Sequence, residues 1–476
     1  MHQPTFLWYD FETFGTNPQK DLPCQFAAIR TDLELNIVDK PINIKSAIAN
    51  DYLPHPEACL ITGITPQQTL RDGTNEADFA ARIFSEMSTP NTCSVGFNSI
   101  RFDDEVARYL FYRNFYDPYS REWQNGNSRW DIIDLARACY ALRPDGIKWP
   151  VKEDGSVSFK LEALCAENDI SHEHAHDALS DVYATIALAK LIKEKQPRLF
   201  EYAFSLRNKH NVLQKIELSK PSVLLHISSK ISSQQGCCTW IMPIAKHPVN
   251  SNAIIAIDLS KPIDSLINDS PDEIKEKLYA PRESDGSTSS RPGLKLIHIN
   301  RSPFITTAKA MTEENAQRLG LDRQLCLSNY LTLSRISGLA EKLAQVYEGD
   351  NLEQELDIDY ALYSGGFLSQ QDRNWCNKVV NAQPEQLAQL SEETQHEGLK
   401  ALLFRYRARN FPTTLTHDET IKWQHHRQSR LTDASSPASI TLDTYMLTLE
   451  RLAHEHADNP DNQAILRALY QYAQNL

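Results

Sequence analysis

Asp10 and Glu12 stand two residues apart in Trp8-Tyr9-Asp10-Phe11-Glu12-Thr13. Side chains at i and i+2 of a strand share a face, so the two carboxylates point together while Tyr9 and Phe11 point the other way. Adjacent carboxylates repel unless a cation lies between them, and burying both near the end of an aromatic, apolar strand without one is costly. Alone, the pair also fits a solvated strand edge. A second acidic group, Asp103-Asp104-Glu105, closes the run that begins Asn98-Ser99-Ile100-Arg101-Phe102. Three acids there also suit the dipole and capping needs of a helix N-terminus. A third group, His176-Asp177-Ala178-Leu179-Ser180-Asp181, sets an imidazole and two carboxylates at another helix start, where Asp177 can serve simply as the cap. The chemistry open to such a set is that of a bound cation.

The elements that must position these residues follow from hydrophobic patterning. Over residues 5 to about 195, apolar strand-like runs alternate with helical ones, an α/β pattern. The first strand spans 5–13, and a hairpin is expected through 26–30 and 35–38. A short strand at 93–95 leads through Gly96 into a helix beginning near Asp103. Helices are expected at 130–141 and 178–193, the second with Val182, Ile186, Ala189 and Lys193 at helical spacing. From about 198 to 299 short β-rich runs follow (223–227, 239–245, 253–259 and 294–299), as in a small barrel or sandwich. Gly, Pro and Ser mark 281–293 as a loop. Beyond Asp350 the chain turns helical, with Leu442, Tyr445, Leu449 and Leu452 on one stripe and Ile465, Leu469 and Tyr472 on the next. The divisions expected are 1–196, 197–350 and 351–476.

In their order along the chain, the three motifs together resemble the DEDD exonucleases, in their histidine-containing branch. Leu161-x-x-Leu164 ahead of Asp169-Ile170, and Ile61-Thr62-Gly63-Ile64-Thr65, look like landmarks of the same family. The likeness runs further. Asp51-Tyr52-Leu53-Pro54, the stretch from Tyr112 to Tyr119, Arg207-Asn208-Lys209-His210, and the run from Tyr406 to Pro412 are similar to bacterial exodeoxyribonuclease I sequences over nearly all 476 residues. The resemblance implies a ribonuclease-H-like exonuclease domain, an SH3-like β-rich middle domain and an α-helical C-terminal domain, arranged as a clamp on single-stranded DNA. It implies hydrolysis from the 3′ end to 5′-mononucleotides, in repair and recombination. Two Mg²⁺ ions would serve, with Mn²⁺ an alternative, because oxygen ligands suit both. By the family pattern Asp10 bridges the ions, Glu12 and Asp181 complete the nucleophile side, Asp103 holds the second ion, and His176 is the general base. The expected DNA contacts are Arg108, Tyr119, Trp123, Arg137, Lys160 and Lys209, with Glu12 and Lys160 also touching substrate. Single-stranded DNA-binding protein, through its acidic C-terminal tail, is the partner implied.

Composition bears on the same reading. A formal net charge of −13 argues against uniform coating with nucleic acid, so any DNA-holding charge must be local. Between Ser205 and His247 six basic residues face one acid; between Asn351 and Lys400 nine acids face three bases. From Arg101 to Arg143 seven arginines and no lysine are interleaved with Tyr109, Tyr112, Tyr116, Tyr119, Trp123, Trp130 and Tyr140. Aromatic faces stack on any base and arginine pairs with phosphate, although many of these rings also suit a core. Nine scattered cysteines without a C-x-x-C pair suit reduced thiols, with Cys237 and Cys238 expected on a buried strand. The first fifteen residues lack a basic, then apolar, leader pattern, and no apolar run approaches the ~20 residues of a membrane span. A cytoplasmic monomer is expected. A trimmer of short RNA would have the same catalytic core but no need of the additional domains.

Overall fold

The computed structural model describes residues 3–172, 177–280, 291–349, 357–364 and 366–476. The chain forms two compact units: Met1–Ser128, Glu173–Tyr183 and Leu352–Leu476 make the first, Arg129–His172 and Ala184–Asn351 the second.

In the first unit, strand β1 (Thr5–Thr13) pairs antiparallel with β2 (Pro23–Thr31), which pairs antiparallel with β3 (Ile42–Lys45). On its other side β1 runs parallel to β4 (Thr92–Gly96), but only from Thr5 to Trp8. The second hairpin strand expected at 35–38 is instead a turn, with Leu35 at φ 67° and Ile37 in an isolated bridge to Thr31. The true partner of β2 begins at Ile42, because Leu35 in the left-handed region breaks the extended run.

Helices α1 (Glu76–Met87) and α2 (Asp103–Arg113) cover one sheet face. Leu7, Tyr9 and Phe11 of β1 and Phe26 and Ala28 of β2 pack there against Phe79, Ile83, Val106, Leu110 and Phe111. Each large apolar side chain so buried contributes roughly 1.5–3 kcal/mol. That alternation leaves Asp10 and Glu12 for the opposite face.

Helices Gln370–Asn381, Glu397–Asn410, His417–Thr432, Leu442–Glu455 and Pro460–Gln474 complete this unit. The predicted stripes face inward: Tyr445, Leu449, Leu452, Leu469 and Tyr472 cluster with Phe14, Cys24, Tyr52, Leu53 and Cys59. Trp375, Val379, Leu402 and Leu403 cluster with Phe115. The C-terminal helices therefore share cores with the N-terminal part of the chain.

The second unit contains an antiparallel five-stranded sheet, in the spatial order Phe304–Thr307, Leu224–Ile227, Cys238–Lys246, Ala253–Asp258, Leu294–His298. Each sequence run read as β in this region supplies one of these strands. Helices Pro271–Tyr279, Arg323–Leu333 and Leu339–Gln345 accompany them. The helix expected at 130–141 begins later, at Ile133, after a strand Ser128–Asp131 that buries Trp130. Cys237 and Cys238 are both buried, but only Cys238 is in a strand; Cys237 sits in a turn at φ 55°. The 281–293 loop falls mostly outside the described residues.

Candidate active site

Asp10, Glu12 and Asp181 converge, with one carboxylate oxygen from each within 4.8 Å of the others. Asp10 and Glu12 come from alternate positions of β1. Asp181 comes from helix α3 (Ala178–Lys195), whose first turn is fixed by Asp177. The Asp177 carboxylate accepts the Ser180 backbone N–H at 3.2 Å, a capping contact, and also the Gln25 side-chain amide at 3.1 Å. Gln25 lies directly across the ladder from Glu12. It is 3% exposed in a strand that is otherwise almost wholly apolar. This buried amide ties β2 to the start of α3 and so delivers Asp181 beside Glu12. A polar residue at position 25, between the apolar Cys24 and Phe26, was the signal in the sequence for it.

Asp103 approaches from the other side. Past Trp8 the β1 edge is no longer paired with β4, and the Phe11 backbone N–H donates to the Asp103 carboxylate at 3.1 Å. Asp103 is 5% exposed.

Burial and the neighbouring carboxylates raise the proton affinity of Asp10 and Glu12. Burial first, then Asp103, Glu12 and Asp181, holds the Asp10 carboxyl well above the usual range. Burial, then Asp181 and Asp103, pushes Glu12 up to about 9. Among the described residues no lysine or arginine forms an ion pair with Asp10 or Glu12. An all-oxygen donor set fits hard divalent cations. A cation replaces the protons that the site otherwise holds.

Glu12 makes that exchange pH-dependent. Its folded-state pKa lies above the unfolded value of about 4.5, so in the metal-free protein its stabilising contribution is complete below pH ~4.5 and is lost as pH rises towards 9. A bound cation opposes that loss. The rise in thermal midpoint on adding Mg²⁺ is therefore expected to be larger at pH 8.5 than at pH 5.5, read by differential scanning calorimetry at equal ionic strength. An equal or smaller rise at the higher pH would remove the carboxylates as the cation site.

The remaining predicted residues are placed as follows. His176 lies outside the described residues. Trp123 is 65% exposed and suited to stacking on a base. Arg108 is buried: Glu122 takes its Nε at 2.8 Å and its Nη2 at 2.9 Å, and Glu105 takes Nη1 at 2.7 Å. Its guanidinium also lies 5.2 Å from the Tyr119 ring centre, so both residues are already engaged within the protein. In the second unit Arg137 is buried against Asp134 at 2.6 Å and over the Phe159 ring. Lys160 is exposed at the start of helix Leu161–Glu167, and Lys209 is exposed with its ammonium on the Asn252 side chain.

Three regions match known families: residues 7–189 the family described as Exonuclease, 207–349 the Exonuclease I SH3-like domain, and 356–476 the Exonuclease I C-terminal domain. Exodeoxyribonuclease I of Haemophilus influenzae is 45% identical over 470 residues, covering 98% of both chains. That of Escherichia coli K12 is 45% identical over 475 residues, covering 100% of this chain and 98% of its own. This chain belongs to the exodeoxyribonuclease I family. Within solved exodeoxyribonuclease I structures, E. coli Exonuclease I in complex with a dA16 oligonucleotide superimposes with a TM-score of 0.95 at 45% identity, covering 99% of this chain and 100% of that one. A structure of SSB/Exonuclease I in complex with an inhibitor matches at 0.91 and 45%, covering all of both chains. The fold is thus that of the family: a ribonuclease-H-like exonuclease domain, an SH3-like domain and the C-terminal domain. An exonuclease domain of this kind depends on divalent metal, and the cluster of Asp10, Glu12 and Asp181 could hold such an ion. No helix among the described residues is long and apolar enough to cross a membrane.

Proposed function

We propose that this chain degrades single-stranded DNA from the 3′ end, releasing 5′-mononucleotides, with two Mg²⁺ ions held by Asp10, Glu12, Asp103 and Asp181. The convergence of Asp10, Glu12 and Asp181, with the proton affinities of Asp10 and Glu12 raised by burial and then by neighbouring carboxylates, carries this reading. The family's E. coli member, solved with a DNA oligonucleotide, supplies the substrate class. Two bound cations would activate water and stabilise charge on the transferring phosphoryl group and the leaving 3′ oxygen. Asp10, Glu12 and Asp181 would together hold the ion that activates the water, and Asp103, on the Phe11 backbone N–H, would contribute to the second. The exposed Trp123 face is a stacking platform for a base, and Lys160 is available to a phosphate. The deciding assay is labelled single-stranded DNA with Mg²⁺, with and without chelator: release of mononucleotides only with the cation is expected. Substitution of Mn²⁺ for Mg²⁺ is expected to sustain it.

His176 acts as the general base, accepting a proton from the attacking water. His176→Ala is expected to slow hydrolysis by roughly 10²–10⁴-fold, with partial recovery at high pH and little effect on DNA affinity. A pH-independent loss matched by lost binding would make the histidine structural.

The basic stretch of the second unit supplies a further hold on the strand. Changing Arg207, Lys209 and Lys215 together to Ala is expected to shorten runs on long single strands, with a loss of affinity that grows with salt. A very short oligonucleotide should be cut almost normally. Equal defects on long and short substrates, in single-encounter digestion with a trap, would exclude this patch. Chemistry of the same kind suits the acidic tail of single-stranded DNA-binding protein as a docking partner, in line with the SSB/Exonuclease I structure. The working form is a cytoplasmic monomer engaged in DNA repair.

A further inference from the structure

The first turn of α2 carries two buried aspartates, and only Asp103 belongs to the proposed metal site. Asp104 is 1% exposed. Its Oδ1 accepts the Tyr9 hydroxyl at 2.6 Å and the Arg121 Nη2 at 2.5 Å. The Arg121 side chain is wholly buried, and its guanidinium carbon lies 5.9 Å from the Tyr9 ring centre. Its Nε and Nη1 are buried without a hydrogen-bond partner. We propose that Asp104, held between Tyr9 and Arg121, is a positioning residue that sets the spacing between the strand-borne carboxylates Asp10 and Glu12 and the helix-borne Asp103. This rests on the two-ion reading above.

Tyr9 is the immediate neighbour of Asp10 and points to the opposite face of β1, so its hydroxyl contact with Asp104 fixes the strand from behind the site. The Phe11 N–H to Asp103 contact fixes it from the edge. The two bonds alternate along β1 and engage consecutive residues of one helical turn. Neither β1 residue 9 nor 11 is paired with β4, whose ladder to β1 stops at Trp8. In this stretch the acidic helix turn takes the place of a strand neighbour. A buried arginine with two unmatched donors is an expensive way to hold an aspartate, since a hydrophobic replacement of such a pair is often neutral or stabilising. What the pair supplies that a hydrophobic contact does not is a fixed direction for the Asp104 carboxylate. Contacts behind metal ligands act in this way, orienting the groups that touch the ion.

Tyr9→Phe removes one hydroxyl and leaves the Asp104–Arg121 pair. Its kcat on single-stranded DNA is expected to fall about tenfold to a hundredfold, the cost of a misplacement of up to about 1 Å. KM should hold, and the Mg²⁺ concentration for half-maximal rate should rise 10–100-fold. Ca²⁺ binding measured by calorimetry, without turnover, should weaken in parallel. Asp104→Ala alone would leave a buried guanidinium unmatched and threatens folding, so the companion variant is Asp104→Leu with Arg121→Met, which removes both charges. That double variant, made together with Tyr9→Phe so that no buried hydroxyl is left without an acceptor, is expected to keep the wild-type thermal midpoint and to show the same loss of kcat and cation affinity. Folded Tyr9→Phe and triple variants with wild-type kcat and wild-type cation binding would overturn the proposal. Failure of the two-ion reading itself looks different: wild-type protein would bind no Ca²⁺ in calorimetry.

Discussion

Asp10→Asn is expected to abolish nucleotide release while raising the thermal midpoint of the metal-free protein. The two effects have one cause. Burial and then Asp103, Glu12 and Asp181 all oppose the ionisation of Asp10. Removing its charge relieves that repulsion, and the isosteric amide keeps the strand packing. Turnover, by contrast, depends on cations that the amide holds weakly. Loss of their charge stabilisation, several kcal/mol, corresponds to roughly a 10³-fold or greater fall in rate. Glu12→Ala, Asp103→Ala and Asp181→Ala are expected to lose release likewise. The measurement is mononucleotide release in saturating Mg²⁺ beside scanning calorimetry in chelator. Near-normal turnover in any two of the four variants would refute the metal-site assignment, and a lowered midpoint for Asp10→Asn would refute the repulsion that explains it.

Strand period made Asp10 and Glu12 legible as a pair, whereas their grouping with Asp103, His176 and Asp181 came from the resemblance to the exonuclease family. Asp10 and Glu12 share a face in any extended chain, and the cap at Asp177 fixes where the next turn begins, so Asp181 follows. What the sequence did not show was the set of contacts made by side chains far apart in the chain. Gln25 across from Glu12 depends on the register of β1 with β2, which the misplaced hairpin strand at 35–38 obscured. Asp104 read as one of three helix-start acids, although its neighbours Tyr9 and Arg121 are 95 and 17 residues distant.

The arginine and aromatic run from Arg101 to Arg143 shows the same limit. Charge on a sequence carries no sign of whether a carboxylate has already met it. Arg108 and Arg137 each lie against buried or half-buried acids, and Arg113 is buried on Glu76 at 3.1 Å. Tyr109 and Trp130 are core residues, while Trp123 stands exposed. Only three-dimensional packing separates those classes. In the β-rich region the apolar runs marked four of the five strands and missed the four-residue strand Phe304–Thr307, and short helices between them left little pattern, because a helix of nine residues such as Pro271–Tyr279 spans fewer than three turns.

Asp359→Ala is expected to destabilise the first unit by about 3–5 kcal/mol, the usual cost of leaving a buried charge without its partner. Asp51, Asp357 and Asp359 meet Arg405, Arg409 and Arg430 in one buried network. Arg409 bridges Asp51 at 2.7 Å and Asp359 at 2.6 Å, Arg405 joins Asp357 and Asp359, and Arg430 reaches Asp357 at 3.0 Å. The network explains why Asp51-Tyr52-Leu53-Pro54 and the run from Tyr406 to Pro412 stood out as landmarks together: each supplies one sign of charge to the same place. Three carboxylates balance three guanidiniums there, so removing Asp359 leaves an unmatched positive charge between helices Glu397–Asn410 and His417–Thr432. Its pH signature is equally specific. The neighbouring arginines, outweighing burial, hold the Asp51 and Asp359 carboxyls well below the usual range. Their contribution is therefore present above pH ~3.8 and is lost as pH falls below it towards their folded-state values. Denaturant titrations at pH 7 and pH 3 should show the wild type losing stability on acidification and Asp359→Ala, already without one such group, losing less. A cost below 1 kcal/mol at pH 7, or an unchanged pH dependence, would mean that the ion network does not hold the C-terminal helices to the strand-bearing part of the unit.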